Sequence, residues 1–373
     1  MQPASVADGP ASRRVLPGRG AVTNPEGRFA ATRSVPVDDG WTRLEDEDAS
    51  VVTEVRPERA RTLITQNASP DIPFDRSINP YRGCEHGCIY CYARPAHAYV
   101  DLSPGLDFET RILFKADAER LLTQELAKPG YRCRPIAFGT NTDPYQPLER
   151  RLRVTRRLLE LLSAHDHPVT ITTRGAAILD DLELLADMAR RDLVSVGVSL
   201  TTLDDDLKRI LEPRTPSGTA RLRTIRALRE AGVPVGVMTA PIIPAINDAE
   251  LESLLEAAAE AGAERANWIL LRLPNEVAAL FRAWLAEHYP DRAAHVLSLV
   301  RQSRGGRLND PRFGSRMRGD GAFASLIAQR FQIAVRRLGL SDRSPRLCTS
   351  GFRPPVVDVT SAPDASSSQL GLF

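Results

Sequence analysis

Between about residues 61 and 272, short apolar runs rich in β-branched residues alternate with amphipathic stretches of ten residues or more, and this alternation does most to limit what the chain can fold into. The expected strands are 77–81, 135–140, 168–173, 193–200, 234–240 and 266–271, with helical patterns at 116–127, 152–163, 177–190, 219–231 and 248–261 between them. Such an order builds right-handed βαβ units on a parallel sheet. Six strands are too few for a closed eightfold barrel, so the expectation is an α/β fold, an open partial (β/α)6 TIM-like barrel, with a doubly wound sheet as the second choice. In both, chemistry belongs at the carboxyl ends of the strands. There the sequence puts Cys84, the run Thr140-Asn141-Thr142-Asp143, the pair Thr173-Arg174, and residues 199–202.

The flanks differ in character. Residues 1–60 mix Pro, Gly, Ser and charge without periodicity, including the acidic run Glu45-Asp46-Glu47-Asp48, and are expected to form a flexible N-terminal arm. Residues 61–272 make the barrel, and 273–340 are expected to be helical without strands, at 275–288, 292–302 and 322–338. Residues 341–373 are Ser- and Pro-rich and read as a flexible tail. No run approaches the roughly 20 apolar residues of a membrane span, and the first thirty residues contain no apolar block, so the expectation is a cytoplasmic protein without a membrane partner. Net charge is only +2, and the lysines are limited to Lys115, Lys128 and Lys208, so arginine abundance is first of all a compositional bias.

Five cysteines form an uneven set. Cys84, Cys88 and Cys91 lie within eight residues while Cys133 and Cys348 are isolated, which suits a metal site better than disulfides. Spacings of three and then two intervening residues let one loop wrap a cubic iron–sulfur cluster with a thiolate on each of three irons, leaving the fourth iron open. Gly83 and Gly87 suit a loop that must turn tightly. The alternatives are a zinc loop that takes His86 or His97 as its fourth ligand, or three buried structural thiols.

With an aromatic residue, Tyr90, before the last cysteine, the stretch Cys84, Cys88, Tyr90, Cys91 resembles the CxxxCxxC signature of the radical S-adenosylmethionine (SAM) superfamily. The resemblance implies a [4Fe–4S] cluster on those three cysteines. It also implies reductive cleavage of SAM to a 5′-deoxyadenosyl radical, and a lyase-like enzyme. Over roughly residues 60–340 the chain resembles the spore photoproduct lyase-like branch. The residues that carry this are Asn79-Pro80-Tyr81-Arg82-Gly83-Cys84, the run 139–146 beginning Gly139-Thr140, Ser199, Glu212-Pro213-Arg214-Thr215-Pro216-Ser217, and Ala240-Pro241-Ile242-Ile243-Pro244. By that resemblance Tyr90 lies against the adenine, Thr140, Asn141 and Thr142 meet the SAM amino group, Arg174 its carboxylate and Ser199 its ribose. Local readings stand beside these: an Asx-type turn ahead of Pro144, a solvated Arg174, and a helix stop at Glu212-Pro213. Where the true lyase has a hydrogen-donating cysteine this chain has Thr140, so no catalytic residue is assigned and dimer repair by the lyase's own route is not expected. Cys133 and Cys348 read as a core residue and a tail thiol.

Two further features point to nucleic acid. Arg301, Arg304, Arg307, Arg312, Arg316 and Arg318 lie in a segment, 301–337, that holds nine arginines against two aspartates, and this excess can grip phosphates or form a solvated face. The terminal Gln369, Leu370, Leu372 and Phe373 resemble the short peptide by which bacterial replication and repair proteins dock on the DNA sliding clamp. The leading expectation is a radical SAM enzyme acting on nucleic acid in DNA repair, served by a flavodoxin or ferredoxin electron donor. Radical modification of a protein or RNA is the second, and a non-catalytic, metal-stabilised clamp-binding protein the third.

Overall fold

The computed structural model describes residues 16–29, 52–343 and 345–356. Its strands are β1 (Glu54–Glu58), β2 (Thr65–Gln66), β3 (Arg76–Ile78), β4 (Tyr81–Arg82), β5 (Arg111–Lys115), β6 (Ile136–Phe138), β7 (Val169–Thr173), β8 (Val194–Ser199), β9 (Val235–Ile242) and β10 (Arg265–Leu270). The α-helices are α1 (Asp107–Thr110), α2 (Ala118–Leu126), α3 (Glu149–Leu152), α4 (Val154–Ala164), α5 (Leu182–Arg190), α6 (Asp205–Leu211), α7 (Gly218–Glu230), α8 (Leu251–Glu260), α9 (Val277–His288), α10 (Ala293–Gln302), α11 (Ser315–Arg318) and α12 (Gly321–Arg337). None of the described helices is long and apolar enough to cross a membrane.

The main sheet runs β10-β9-β8-β7-β6-β3-β2, parallel throughout except for the antiparallel β2. Its six parallel strands follow chain order without reversal. A doubly wound sheet would reverse at a switch point, so the arrangement is the open, partial (β/α)6 barrel. Strand β6 is buried along its whole length and reads as a continuous apolar run, whereas β8, Val-Ser-Val-Gly-Val-Ser, alternates in sequence yet is also buried at nearly every residue. A small second sheet, β1-β5-β4, stands beside it and leads straight into the cysteine loop.

Two larger apolar cores, beside a small cluster of Cys84, Ala93 and Phe108, do most of the positioning. One joins the main sheet to its helices, including Leu158 and Leu162 of α4, Leu228 of α7, Leu255 of α8 and Ile327 of α12. The other packs Cys88, Ile89 and Tyr90 against Leu207, Leu211 and the α9 and α10 residues Val277, Leu280, Phe281, Trp284, Val296 and Val300. Burial of a side chain such as Phe281 stabilises by about 1.5–3 kcal/mol, so the helices beyond the barrel brace the cysteine loop from below.

Parts of both expected flexible ends are built into the fold. Residues 16–29 lie along the cysteine loop with Ala21 and Val22 buried, and β1 pairs with β5. Residues 345–356 cross the amino ends of the strands: the Cys348 amide donates to the Asp192 carbonyl at 2.8 Å and Phe352 packs edge-on against His167 at 5.2 Å. These segments lack periodicity because they pack by single contacts onto a finished surface. The acidic run 45–48 and the peptide 369–373 lie outside the described residues.

Candidate active site at the cysteine loop

The loop that carries Cys84, Cys88 and Cys91 is held mainly through its backbone. Its amides at Cys84 and Ile89 donate to the carbonyls of Phe108 (2.9 Å) and Leu211 (3.1 Å). Arg94, wholly buried, donates to the carbonyls of Cys88 (3.0 Å), Gly87 (3.1 Å), Pro104 (3.1 Å) and Gly105 (2.9 Å), and pairs with Glu109 at 2.5 Å. From the opposite side Gln146 donates to the Gly83 carbonyl at 3.2 Å and accepts from the Glu85 amide at 2.9 Å. All five cysteines are free of disulfides. Burial pushes the Cys88 thiol up to about 12 and the Cys84 thiol well up, so the two are neutral until a metal draws off their protons.

The donors fit an iron–sulfur cluster better than a zinc ion. His86 and His97, the fourth ligands of the zinc alternative, are both buried: His86 Nδ1 lies 3.4 Å from Asp143 Oδ2 without a hydrogen bond, and His97 Nε2 lies 3.0 Å from the Arg111 carbonyl while its Nδ1 has no partner. Among the described residues no three His, Cys, Asp or Glu side chains converge on one ion position.

Cys91 opens into a cavity at the carboxyl ends of the parallel strands, whose wall includes Tyr90, Asn141, Thr142, Arg174, Ser199 and Arg272. Five residues assigned to SAM by resemblance therefore meet at one place. Thr140 does not share the wall. Its hydroxyl accepts from Asn79 Nδ2 at 3.2 Å and its carbonyl accepts from the Tyr92 hydroxyl. The turn into this run needs Gly139, with φ 76°, since a Cβ there would sit 1.9 Å from the Thr172 carbonyl oxygen. Asp143 accepts from the Tyr145 amide (2.9 Å), the Thr173 hydroxyl (2.6 Å) and the Arg174 amide (2.8 Å), so it makes the Asx turn and also ties β6 to β7. Burial pushes its carboxyl up, but His86, Arg174 and Thr173 outweigh that and hold it well below the carboxylate range.

Arg174 is a cation built into the cavity wall rather than a solvated one. Its Nε is buried without a hydrogen-bond partner and lies 3.6 Å from Glu212 Oε1. Burial opposes its charge, yet the facing Tyr90, Cys88, Glu212 and Asp143 keep its pKa raised. Glu212 does more than end a helix. It accepts from Arg221, from the Tyr90 hydroxyl and from Thr201 (2.8 Å), and so locks the Tyr90 ring beside the cysteines. Sequence reasoning gave no role to Arg94, Glu109 or Arg272, because none stands in a recognisable motif.

The arginine-rich segment splits into two groups. Arg304 is 1% exposed and donates to the carbonyls of Leu270 (2.8 Å), Leu271 (2.9 Å), Ser315 (3.0 Å) and Arg316 (2.7 Å). It buttresses the end of β10, which corrects its expected place among phosphate-gripping residues. Arg316 pairs with Asp71 at 2.5 Å and lies 4.8 Å over the Phe313 ring, while Arg318 lies 4.5 Å over Trp268. Arg272 stacks 5.5 Å over Tyr92 at the cavity. Arg301, Arg307 and Arg312 are exposed, the last paired with Asp310 at 2.9 Å.

Comparisons with known proteins bear on the family and the fold. Residues 78–258 match the model of the Radical SAM superfamily. An uncharacterised protein of Mycobacterium tuberculosis is 36% identical over 286 residues, which cover 73% of this chain and 84% of that one. One from Methanocaldococcus jannaschii is 26% identical over 173 residues, 46% of this chain and 62% of that one. Among solved structures, spore photoproduct lyase complexed with dinucleoside spore photoproduct superimposes with a TM-score of 0.56 at 16% identity, covering 77% of this chain and 80% of that one. A mutant of the same lyase with bound AdoMet and dinucleoside spore photoproduct gives 0.55 at 15% identity over the same shares. These structures share the fold.

Proposed function

The chain belongs to the radical SAM superfamily and is an enzyme that uses a [4Fe–4S] cluster and SAM, and from that premise we propose that it acts on nucleic acid, in DNA repair. Cys84, Cys88 and Cys91 would hold the cluster. With SAM on its open iron, the group supplies reductive cleavage to methionine and a 5′-deoxyadenosyl radical that takes hydrogen from the substrate. The chain's own residues do the rest. The unpartnered Arg174 Nε suits the SAM carboxylate, Asn141 and Thr142 the amino group, and Ser199 the ribose. Tyr90, fixed by Glu212, walls the adenine side.

The observation that carries the nucleic-acid reading is the pair of arginine–aromatic contacts whose rings are exposed, Arg272 on Tyr92 at the cavity and Arg316 on Phe313 beyond it, whereas the Trp268 ring under Arg318 is buried. Guanidinium groups beside aromatic faces suit phosphates next to unstacked bases. Against a peptide substrate, the outer edge of β10 is already bridged to Ser341, so it offers no free strand at that end. Thr140 in place of a thiol means that a hydrogen atom is not returned there, and the reaction differs from the lyase's in that step.

We extend the proposal to partners: a flavodoxin or ferredoxin as electron donor, and the DNA sliding clamp through Gln369, Leu370, Leu372 and Phe373. The test is anaerobic reconstitution, reduction in the presence of SAM and assay of 5′-deoxyadenosine with UV-irradiated DNA, intact DNA or RNA. Damaged DNA is expected to raise nucleoside formation most. A rate indifferent to every nucleic acid would overturn the substrate reading, and stimulation by RNA alone would move it to RNA modification.

A further inference from the structure

We infer that residues 19–22, far upstream of the cysteine motif, are part of the iron–sulfur site, where they help hold the cysteine loop and set how firmly and at what potential the cluster is carried. The inference rests on the placement of the cluster at Cys84, Cys88 and Cys91. Its starting point is Glu109, a carboxylate with no solvent exposure. Arg94 supplies one donor at 2.5 Å, and the others come from the upstream segment: the Gly20 amide at 3.0 Å to Oε2 and the Ala21 amide at 2.9 Å to Oε1. Arg19 adds a bond to the Glu109 carbonyl at 3.0 Å. Through Arg94 the same carboxylate fixes the carbonyls of Gly87 and Cys88, so the upstream amides act on the cluster loop at one remove.

The fit is close enough to dictate residue type. A Cβ on Gly20 would stand 1.9 Å from the Gly87 carbonyl oxygen, and one on Gly87 would stand 2.7 Å from Glu109 Oε2. Ala21 belongs to the same apolar group as Cys88, Ile89 and Tyr90, so the segment also covers that side of the loop. It is pinned further along, where Asn24 Oδ1 accepts from the Leu106 amide at 2.8 Å and Arg28 pairs with Glu276 at 2.9 Å. Without it Glu109 would keep Arg94 alone, and water would reach the loop. Both hydrogen bonding near the sulfurs and solvent exposure move a cluster's potential.

The reconstituted full chain is compared with Gly20→Ala, with a chain lacking residues 1–22, and with one lacking only 1–15. The readouts are the rate of iron loss to a chelator and the midpoint potential from an EPR-monitored titration. Iron loss several-fold faster and a shifted potential are expected for the first two variants, with the third behaving as the full chain. Unchanged iron loss and potential without residues 1–22 would overturn the inference. Hydrogen exchange on the unaltered chain gives a test that does not depend on variant folding. The Gly20 and Ala21 amides should exchange slowly in the loaded protein and faster once iron is removed, whereas equal rates in the two states would refute the coupling. A full chain that takes up no cluster would instead sink the cluster assignment, and is told apart because iron is then missing before the segment is touched.

Discussion

Glu212 has no access to solvent, yet it is ionised. Burial raises its pKa, but Arg221 and Arg174 outweigh this and Tyr90 donates to it, leaving a value of about 2. A buried pair of this kind costs far more to break than to replace, because a lone charge left behind has no solvent. Arg221→Met should therefore destabilise the protein by about 3–5 kcal/mol, and adding Glu212→Leu should recover part of that loss in denaturant unfolding. The motif Glu212-Pro213-Arg214-Thr215 was visible in the sequence, but the partnership of Glu212 with Tyr90, 122 positions earlier, was not, because nothing local encodes it. His167 shows a second such case. Burial lowers its pKa to about 4 from 6.5, with Tyr131 at 2.8 Å from Nε2. As pH falls through that interval the unfolded chain takes up a proton that the folded chain refuses. Stability should thus drop from about pH 6.5 downward, by about 3 kcal/mol in full below pH 4. His167→Gln should flatten that acid limb when unfolding is measured across pH.

Elements were far more legible than residues. The six expected parallel strands all appear near their expected bounds, because each is a short stretch rich in β-branched or other apolar residues between turn residues, as in Val194–Ser199, although the expected 77–81 ends at Ile78 and its last residue, Tyr81, belongs to β4 of the second sheet. The helices of the barrel and of the C-terminal region follow for the same reason, their apolar faces repeating at the helical period. What escaped was held by tertiary contact: β1, a five-residue strand with Pro57 inside it, its partner β5, the two-residue β2, the separation of β4 from β3, and the segments 16–29 and 345–356. Arg304 belongs to this class, since composition marks it as one more surface arginine while four carbonyls claim it. Arg304→Met should free residues 305–319 from the end of β10, at a cost of about 2–4 kcal/mol for the stranded carbonyls. Hydrogen exchange should quicken there, and nucleic-acid affinity should fall, while SAM cleavage without nucleic acid stays near its original rate.

Taken as one body, the protein separates its two ends. The cavity opens at the carboxyl ends of the strands, whereas residues 345–356 are fastened across the amino ends, by Cys348 to Asp192, by Arg353 to the His165 carbonyl at 3.0 Å, and by Phe352 between Tyr131 and His167. The described chain up to residue 356 therefore lies on the face opposite the reaction. From residue 356 to Gln369 the thirteen intervening steps reach at most roughly 45 Å, enough for a partner to be held without crowding the cavity. If the terminal residues bind the sliding clamp, the anchor and the chemistry should be separable. Deleting residues 369–373 should abolish clamp binding in a pull-down and leave 5′-deoxyadenosine formation unchanged. Replacing Phe352 with Ala should loosen the anchor without touching either. Loss of cleavage on the short deletion would mean that the tail reaches round to the cavity, and retained clamp binding would remove the clamp from the partners proposed.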